Sequence, residues 1–177
     1  LYPHIHFDVY LTENTVDLMD AQFDLALRIT QKVADGLIAR PVCDIESIFC
    51  AHPHYLQDHT PLSHPSQLIQ HECIAHHTHN QYWTLFDTDQ QPQNYPLNVT
   101  FKSNDVIALY QMCLKAEGIA MLPTLLVRQD IAQHRLQQVF TDFSAPDLTL
   151  SLVYASRQHL PKITQEFIAF VIENLNF

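Results

Sequence analysis

A two-lobed α/β fold is what this sequence predicts, and three observations predict it. Segments with the period-2 alternation of strands interleave with segments carrying helix start and stop signals along the whole chain. Two extended stretches, 37–51 and 148–156, are too long for one compact lobe. At 177 residues the chain can bury a core as one domain or as two small lobes. Long strands that cross between lobes are how a bilobal binding protein is built. The alternative is a single α/β sandwich with ragged strands.

The elements follow in order. "PHIHFDVYL" puts Ile5, Phe7, Val9 and Leu11 on one face, as a strand should. "ENTVDLMDAQ" reads as a helix, with Asn14 as N-cap and Asp17 at the third helical position. In "FDLALRIT", Phe23, Leu25, Leu27 and Ile29 alternate with Asp24, Ala26, Arg28 and Thr30, so residues 3–30 form a right-handed βαβ unit. Strands of such units are normally covered on both faces. The stretch from Ala34 to Leu56 is Val/Ile-rich and reads as strand running on into strand. "PLSHPSQLIQHECI" contains a short helix with Pro65 at its first position. "QYWTLFD" and "YPLNVTFKS" read as strands around a turn rich in Asp, Gln, Asn and Pro.

The helix signal is clearest in "SNDVIALYQMCLKAEG", with Ser103 or Asn104 as cap and Gly118 as stop. "IAMLP" is a short buried strand, and "PTLLVRQDIAQ" a helix opened by proline. "LQQVFTDF" and "LTLSLVYAS" are strands. The closing helix, "PKITQEFIAFVIENL", lines up Ile163, Phe167, Phe170, Val171 and Leu175.

Composition narrows the function classes. The chain is 47% hydrophobic and 16% charged, which marks it as globular. Nine Lys+Arg against nineteen Asp+Glu give a formal charge of −10, and no basic stripe is visible. Phosphate neutralisation dominates nucleic-acid affinity, so these residues alone are not expected to grip DNA. No apolar run reaches the roughly 18 residues needed to span a bilayer, and the N-terminus lacks the pattern of a signal peptide. Cys43, Cys50, Cys73 and Cys113 show no CxxC spacing and have apolar neighbours, as expected of reduced core thiols in the cytoplasm. There is no G-x-S-x-G elbow and no activated-cysteine signature, and two glycines leave no room for a P-loop or dinucleotide fingerprint. Neither catalysis nor a cofactor is expected.

The motifs "YPHIHFDV", "FDLALRI", "GLIARPV", "CAHPHYL", "HPSQLIQHECI", Trp83, "SNDVIAL", "GIAMLP" and "LVYASRQHLP…FIAFV" stand in an order that covers essentially the whole chain. In that order they resemble the effector-binding (regulatory) domain of LysR-type bacterial transcriptional regulators. The resemblance implies a type II periplasmic-binding-protein fold, with two α/β lobes joined by two crossover strands around an interlobe cleft. Carried onto this chain, lobe I is 1–46 plus 148–177 and lobe II is 47–147. It further implies a small-molecule effector and a homodimer or tetramer. DNA would be bound only through an N-terminal helix-turn-helix that these residues do not contain, so the sequence reads as a truncated regulator. A transport-type solute-binding protein of the same fold is the alternative, and an enzyme on this scaffold a more distant one. The chain departs from the family in having Ala116-Glu117-Gly118 where Gly-x-Gly is usual. Eight of its twelve histidines also fall between His52 and His79.

Candidate effector contacts follow from strand and helix ends. In open α/β sheets ligands bind outside the carboxyl ends of strands, where Arg28 and Thr30 stand. Arg28 offers a forked, permanently charged donor set to a carboxylate or phosphate; equally it can pair with Asp24 or another lobe I acid as a structural ion pair. Ser103 and Asn104 lie where orphan N–H groups and the positive helix end gather, or serve simply as caps. By the resemblance, His79, Asn80, Gln81 and Tyr82 line the cleft mouth, whereas Trp83 packs in lobe II. His71, Cys73, His76, His77 and His79 are close in sequence but match no zinc spacing, so no metal is expected.

Overall fold

A computed structural model describes residues 4–12, 18, 23–29, 34–79, 81–155 and 160–175. Two sheets carry the architecture. The first is antiparallel, with β10 (Leu148–Ala155) between β1 (Ala26–Ile29) and β2 (Leu37–Ile45). The ladder from β10 to β2 slips by one residue at Leu150/Ser151, opposite Cys43 and Pro41. A bulge there accommodates a proline, which has no N–H to give. Helix α4 (Lys162–Asn174) covers this sheet, packing Ile168 and Val171 against Leu152 and Tyr154.

One residue, Glu46, separates β2 from β3 (Ser47–Ala51), which belongs to the second sheet. That sheet also contains β4 (Glu72–His76), β7 (Asn98–Ser103), β8 (Ile119–Pro123) and β9 (Gln137–Val139), in the order β7-β4-β8-β3-β9. β4 runs parallel to β7 and β8, while β3 is antiparallel to β8 and β9. Between strands lie α1 (Pro53–Asp58), a 3-10 turn (Pro65–Gln70), α2 (Val106–Leu114) and α3 (Thr124–Ala132). One face of the sheet buries Phe49, Trp83, Leu85 and Tyr95; the other packs Leu109, Cys113 and Val127 onto Ile74, Ala120 and Leu122. Trp83 is a core residue, 1% exposed and 5.4 Å from the Phe49 ring.

Several local expectations need correction. Residues 5–12 form no strand, and Phe7, Val9 and Leu11 are exposed. The alternation is present, but β1 has only β10 as strand partner among the described residues. The helix expected over 13–22 lies outside the described residues except for Leu18, which is buried. In β1 itself Ala26 and Arg28 are half-buried while Leu27 and Ile29 are exposed, so the strand is not covered on both faces. The strand expected to run on past β3 stops at Ala51, because Pro53 opens α1 and His52 Nδ1 caps it by accepting from His54 N–H at 3.1 Å.

"YPLNVTFKS" is two strands. Its start belongs to β6 (Pro92–Pro96), which pairs with β5 (Tyr82–Phe86) in a separate hairpin, and its end is β7. The α2 cap is Asp105, whose carboxylate accepts from Ile107 N–H at 2.8 Å; neither Ser103 nor Asn104 caps it. Ala116 takes the left-handed backbone itself, φ 62°, without being a glycine. The buried stripe of α4 runs through Thr164, Ile168 and Val171, leaving Ile163 and Phe170 exposed.

Cys50, Cys73 and Cys113 are fully buried and Cys43 is half-buried, all as free thiols. Burial pushes the Cys73 thiol up to about 12. A hydrogen bond with Cys113, together with burial, pushes Cys50 up as well. Thiolate is the reactive form. Disulfide-exchange titration should therefore find at most one fast-reacting thiol, Cys43, in the native protein and four after unfolding in denaturant. Fast reaction of two or more native thiols would contradict this packing.

Candidate effector site

The carboxyl ends of β4 and β7 come together because they are parallel neighbours, with His76 in register with Ser103. The turn after β4 is held there: His77 N–H donates to the Ser103 carbonyl at 3.0 Å, and His79 N–H to the His76 carbonyl at 2.8 Å. Thr78 Oγ1 bridges the two rings, 2.8 Å from His76 Nδ1 and 3.2 Å from His79 Nδ1. On the β7 side, Ser103 Oγ accepts from Asp105 N–H at 3.0 Å, which sets the chain for entry into α2. Asn104 lies between them, exposed.

Of the candidate residues, His79, Ser103 and Asn104 are thus brought to one edge. Tyr82 opens β5 opposite Pro96, exposed; beside it Leu97 N–H donates to the Gln81 carbonyl at 2.9 Å. Arg28 is half-buried on the other sheet, in register with Ser151 of β10. Thr30 and Asn80 lie outside the described residues.

His76, His77 and Asp105 join this edge without having been singled out as effector contacts. Asp105 precedes the first helical residue and is an ordinary cap signal. The two histidines have no local signal, since only the β4–β7 register places them beside Ser103. Burial, and then the neighbouring His76, hold the proton affinity of His79 below the ordinary histidine value. Among the described residues no three His, Cys, Asp or Glu side chains converge as metal ligands, and no helix is long and apolar enough to cross a membrane. A cavity of about 470 Å³ opens elsewhere, between α1 and the chain around β9, lined by Leu56, Leu62, Val139, Phe140 and Phe143 among others.

Comparison with known proteins bears on what this arrangement serves. The family model described as LysR substrate binding domain matches residues 1–176. The HTH-type transcriptional regulator PtxR of Pseudomonas aeruginosa is 27% identical over 175 residues, covering 98% of this chain and 56% of the relative. Among solved structures, the regulatory domain of CrgA, a LysR-type regulator from Neisseria meningitidis, superposes with a TM-score of 0.83 at 29% identity, covering 99% of this chain and 86% of that one. Full-length AphB, the Vibrio cholerae virulence activator, gives 0.84 at 25% identity, covering 97% of this chain and 59% of that one. The chain therefore spans a little over half the length of such full-length regulators. The two-sheet α/β architecture, its likeness to solved regulatory domains and a family match along nearly its whole length make this chain a member of the LysR substrate-binding domain family.

Proposed function

We propose that this chain is the ligand-sensing domain of a LysR-type DNA-binding transcriptional regulator, and that its effector is a small anion held between two lobes. Lobe I comprises 1–46 plus 148–177, lobe II 47–147, and Glu46 lies at one of the two crossings. The observation that supports the reading is the edge where His79, Ser103 and the start of α2 meet, beside the positive end of a helix dipole. Arg28 and Thr30 would face this edge from lobe I, with Asn80, Tyr82 and Asn104 completing the contacts. The effector would bind the two arrangements of the lobes unequally, a difference typically worth about 1–3 kcal/mol. A homodimer would transmit it to promoter DNA through a helix-turn-helix in the part of the regulator that lies beyond these residues. A cytoplasmic location belongs to this reading.

A thermal-shift screen of anionic metabolites tests it, since a ligand of the native state raises Tm by mass action. With a hit in hand, calorimetric titration of Arg28→Ala should show affinity lower by about thirtyfold, or about 2 kcal/mol for a lost charge-assisted contact, with Tm nearly unchanged. Unchanged affinity with a large fall in Tm would make Arg28 a structural ion-pair partner instead.

A further inference from the structure

At the end of β4 remote from the candidate site, five side chains fasten α1 and the residues after it to the five-stranded sheet. His71, immediately before β4, has no exposed surface. Its Nδ1 lies 3.2 Å from the Tyr55 hydroxyl on α1, and its Nε2 lies 3.4 Å from Thr60 Oγ1. The Tyr55 hydroxyl donates to Glu72 Oε2 at 2.6 Å and accepts from Glu72 N–H at 2.9 Å. Having spent its one proton on Glu72, Tyr55 can meet His71 Nδ1 only as an acceptor. His71 therefore carries a proton on Nδ1, and in the neutral ring Nε2 accepts from Thr60.

The same tyrosine stacks on His59, ring centroids 4.0 Å apart, and His59 Nδ1 lies 2.7 Å from the Tyr55 carbonyl. His59 Nε2 is 3.4 Å from Glu72 Oε2, and its ring is 6.2 Å from that of His71. The titratable groups facing His71 are thus Tyr55 from α1, His59 from the following loop, and Glu72 and Cys73 from β4. Cys73 Sγ donates to the His71 carbonyl at 3.5 Å.

We propose that His71 is a proton switch: when neutral it fastens residues 53–60 to β4, and when protonated it releases them. A charge placed on His71 would be buried and would face a second imidazole across 6.2 Å, with one carboxylate shared between them. Release would also move a wall of the 470 Å³ cavity, because Leu56 of α1 and Leu62 just beyond line it.

The direction of the pH dependence follows. Burial first, and His59 second, hold the proton affinity of His71 below the ordinary value, with Glu72 opposing. Once residues 53–60 are released, His71 regains an ordinary pKa of about 6.5. Fastening is therefore complete above that pH and is lost progressively as pH falls below it. Glu72, held below the usual carboxylate range first by the Tyr55 hydrogen bond, stays charged throughout.

Hydrogen–deuterium exchange of the 177-residue chain at pH 7.5 and 5.5, corrected for intrinsic rates, tests the switch. Amides of residues 54–60 should lose protection by up to about tenfold, the limit set by one proton taken up at pKa about 6.5. Those of β8 should not change. His71→Asn keeps a donor near the Nδ1 position and cannot titrate in this range, so its protection should be independent of pH. A wild-type NMR titration gives a readout that needs no variant: the His71 ring should titrate below the exposed histidines. Unchanged wild-type protection, an equal loss in His71→Asn, or titration of His71 alongside exposed histidines would each overturn the proposal.

Discussion

Replacing Gly118 with alanine should destabilise the protein by about 3 kcal/mol, which for a chain of this size lowers Tm by about 9 °C. Two independent causes act on the one methyl group. Gly118 has φ 147°, a backbone region that residues with a Cβ avoid. A Cβ there would also stand 2.5 Å from the Glu72 carbonyl oxygen and 3.0 Å from its carbon. Those atoms are backbone at the start of β4, and β4 is locked by pairing between Cys73 and Ile119 and between Ile74 and Ala120. Neither strand can move aside without breaking that ladder, and Glu72 would carry the displacement into the Tyr55 hydrogen bonds. Gly36 supplies the control: it also has positive φ, 84°, but its added Cβ meets nothing within 4 Å. Gly36→Ala should therefore cost only the backbone strain, about 1 kcal/mol. Thermal melts of the two variants side by side decide the matter, and equal losses would remove the steric half of the explanation.

Gly118 also illustrates how much of this molecule can be read from its residues. Its place at the end of a helical pattern is visible, but its closeness to Glu72 is not, because that depends on β4 and β8 lying side by side. The same division holds elsewhere. β2, β10, α2, β8 and α3 carry their own hydrophobic pattern and punctuation and were legible to within a few residues. The 5–12 segment has the right alternation and still forms no strand, since alternation supplies a face but not a partner. β6 is the converse: "PQNYP" has poor strand propensity, yet it pairs along β5, places Tyr95 opposite Trp83, and joins Thr84 to Asn94 at 2.8 Å. In α4 apolar residues occupy more than one side, so only the sheet beneath decides that Ile168 faces in and Phe170 out.

The candidate site divides similarly. Strand ends and a helix start were legible as places where polar groups collect. The meeting of the His76–His79 turn with Ser103 was not, because a parallel register between residues 27 apart is a tertiary fact. The cap itself is Asp105, preceded by two other residues of capping type, Ser103 and Asn104, so the sequence alone offers three neighbouring caps.

Stranding the Asp130 carboxylate should be worse than deleting it. The side chain is 3% exposed on α3; its Oδ1 accepts from Arg135 Nε at 2.6 Å and its Oδ2 from the Tyr110 hydroxyl of α2 at 2.7 Å. Each is a charge-assisted hydrogen bond. Asp130→Ala removes the buried charge together with its need for partners, leaving Arg135, 55% exposed, to water. That should cost about 1–2 kcal/mol, mainly lost hydrogen bonding and a small void. The double variant Tyr110→Phe/Arg135→Ala keeps the carboxylate and removes both donors. A buried charge without partners costs about 3–5 kcal/mol, and water entering on the exposed Arg135 side brings this to about 3 kcal/mol. Urea denaturation at pH 7 should thus rank the double variant at least about 1 kcal/mol below Asp130→Ala. The reverse order would show that the pair is worth more than the burial it compensates. The network joins α2 to α3, and Asp105, the N-cap of α2, stands beside the candidate anion site. Loosening it should weaken effector binding even where the remaining fold is intact, because the orphan N–H groups of α2 then lose their fixed aim.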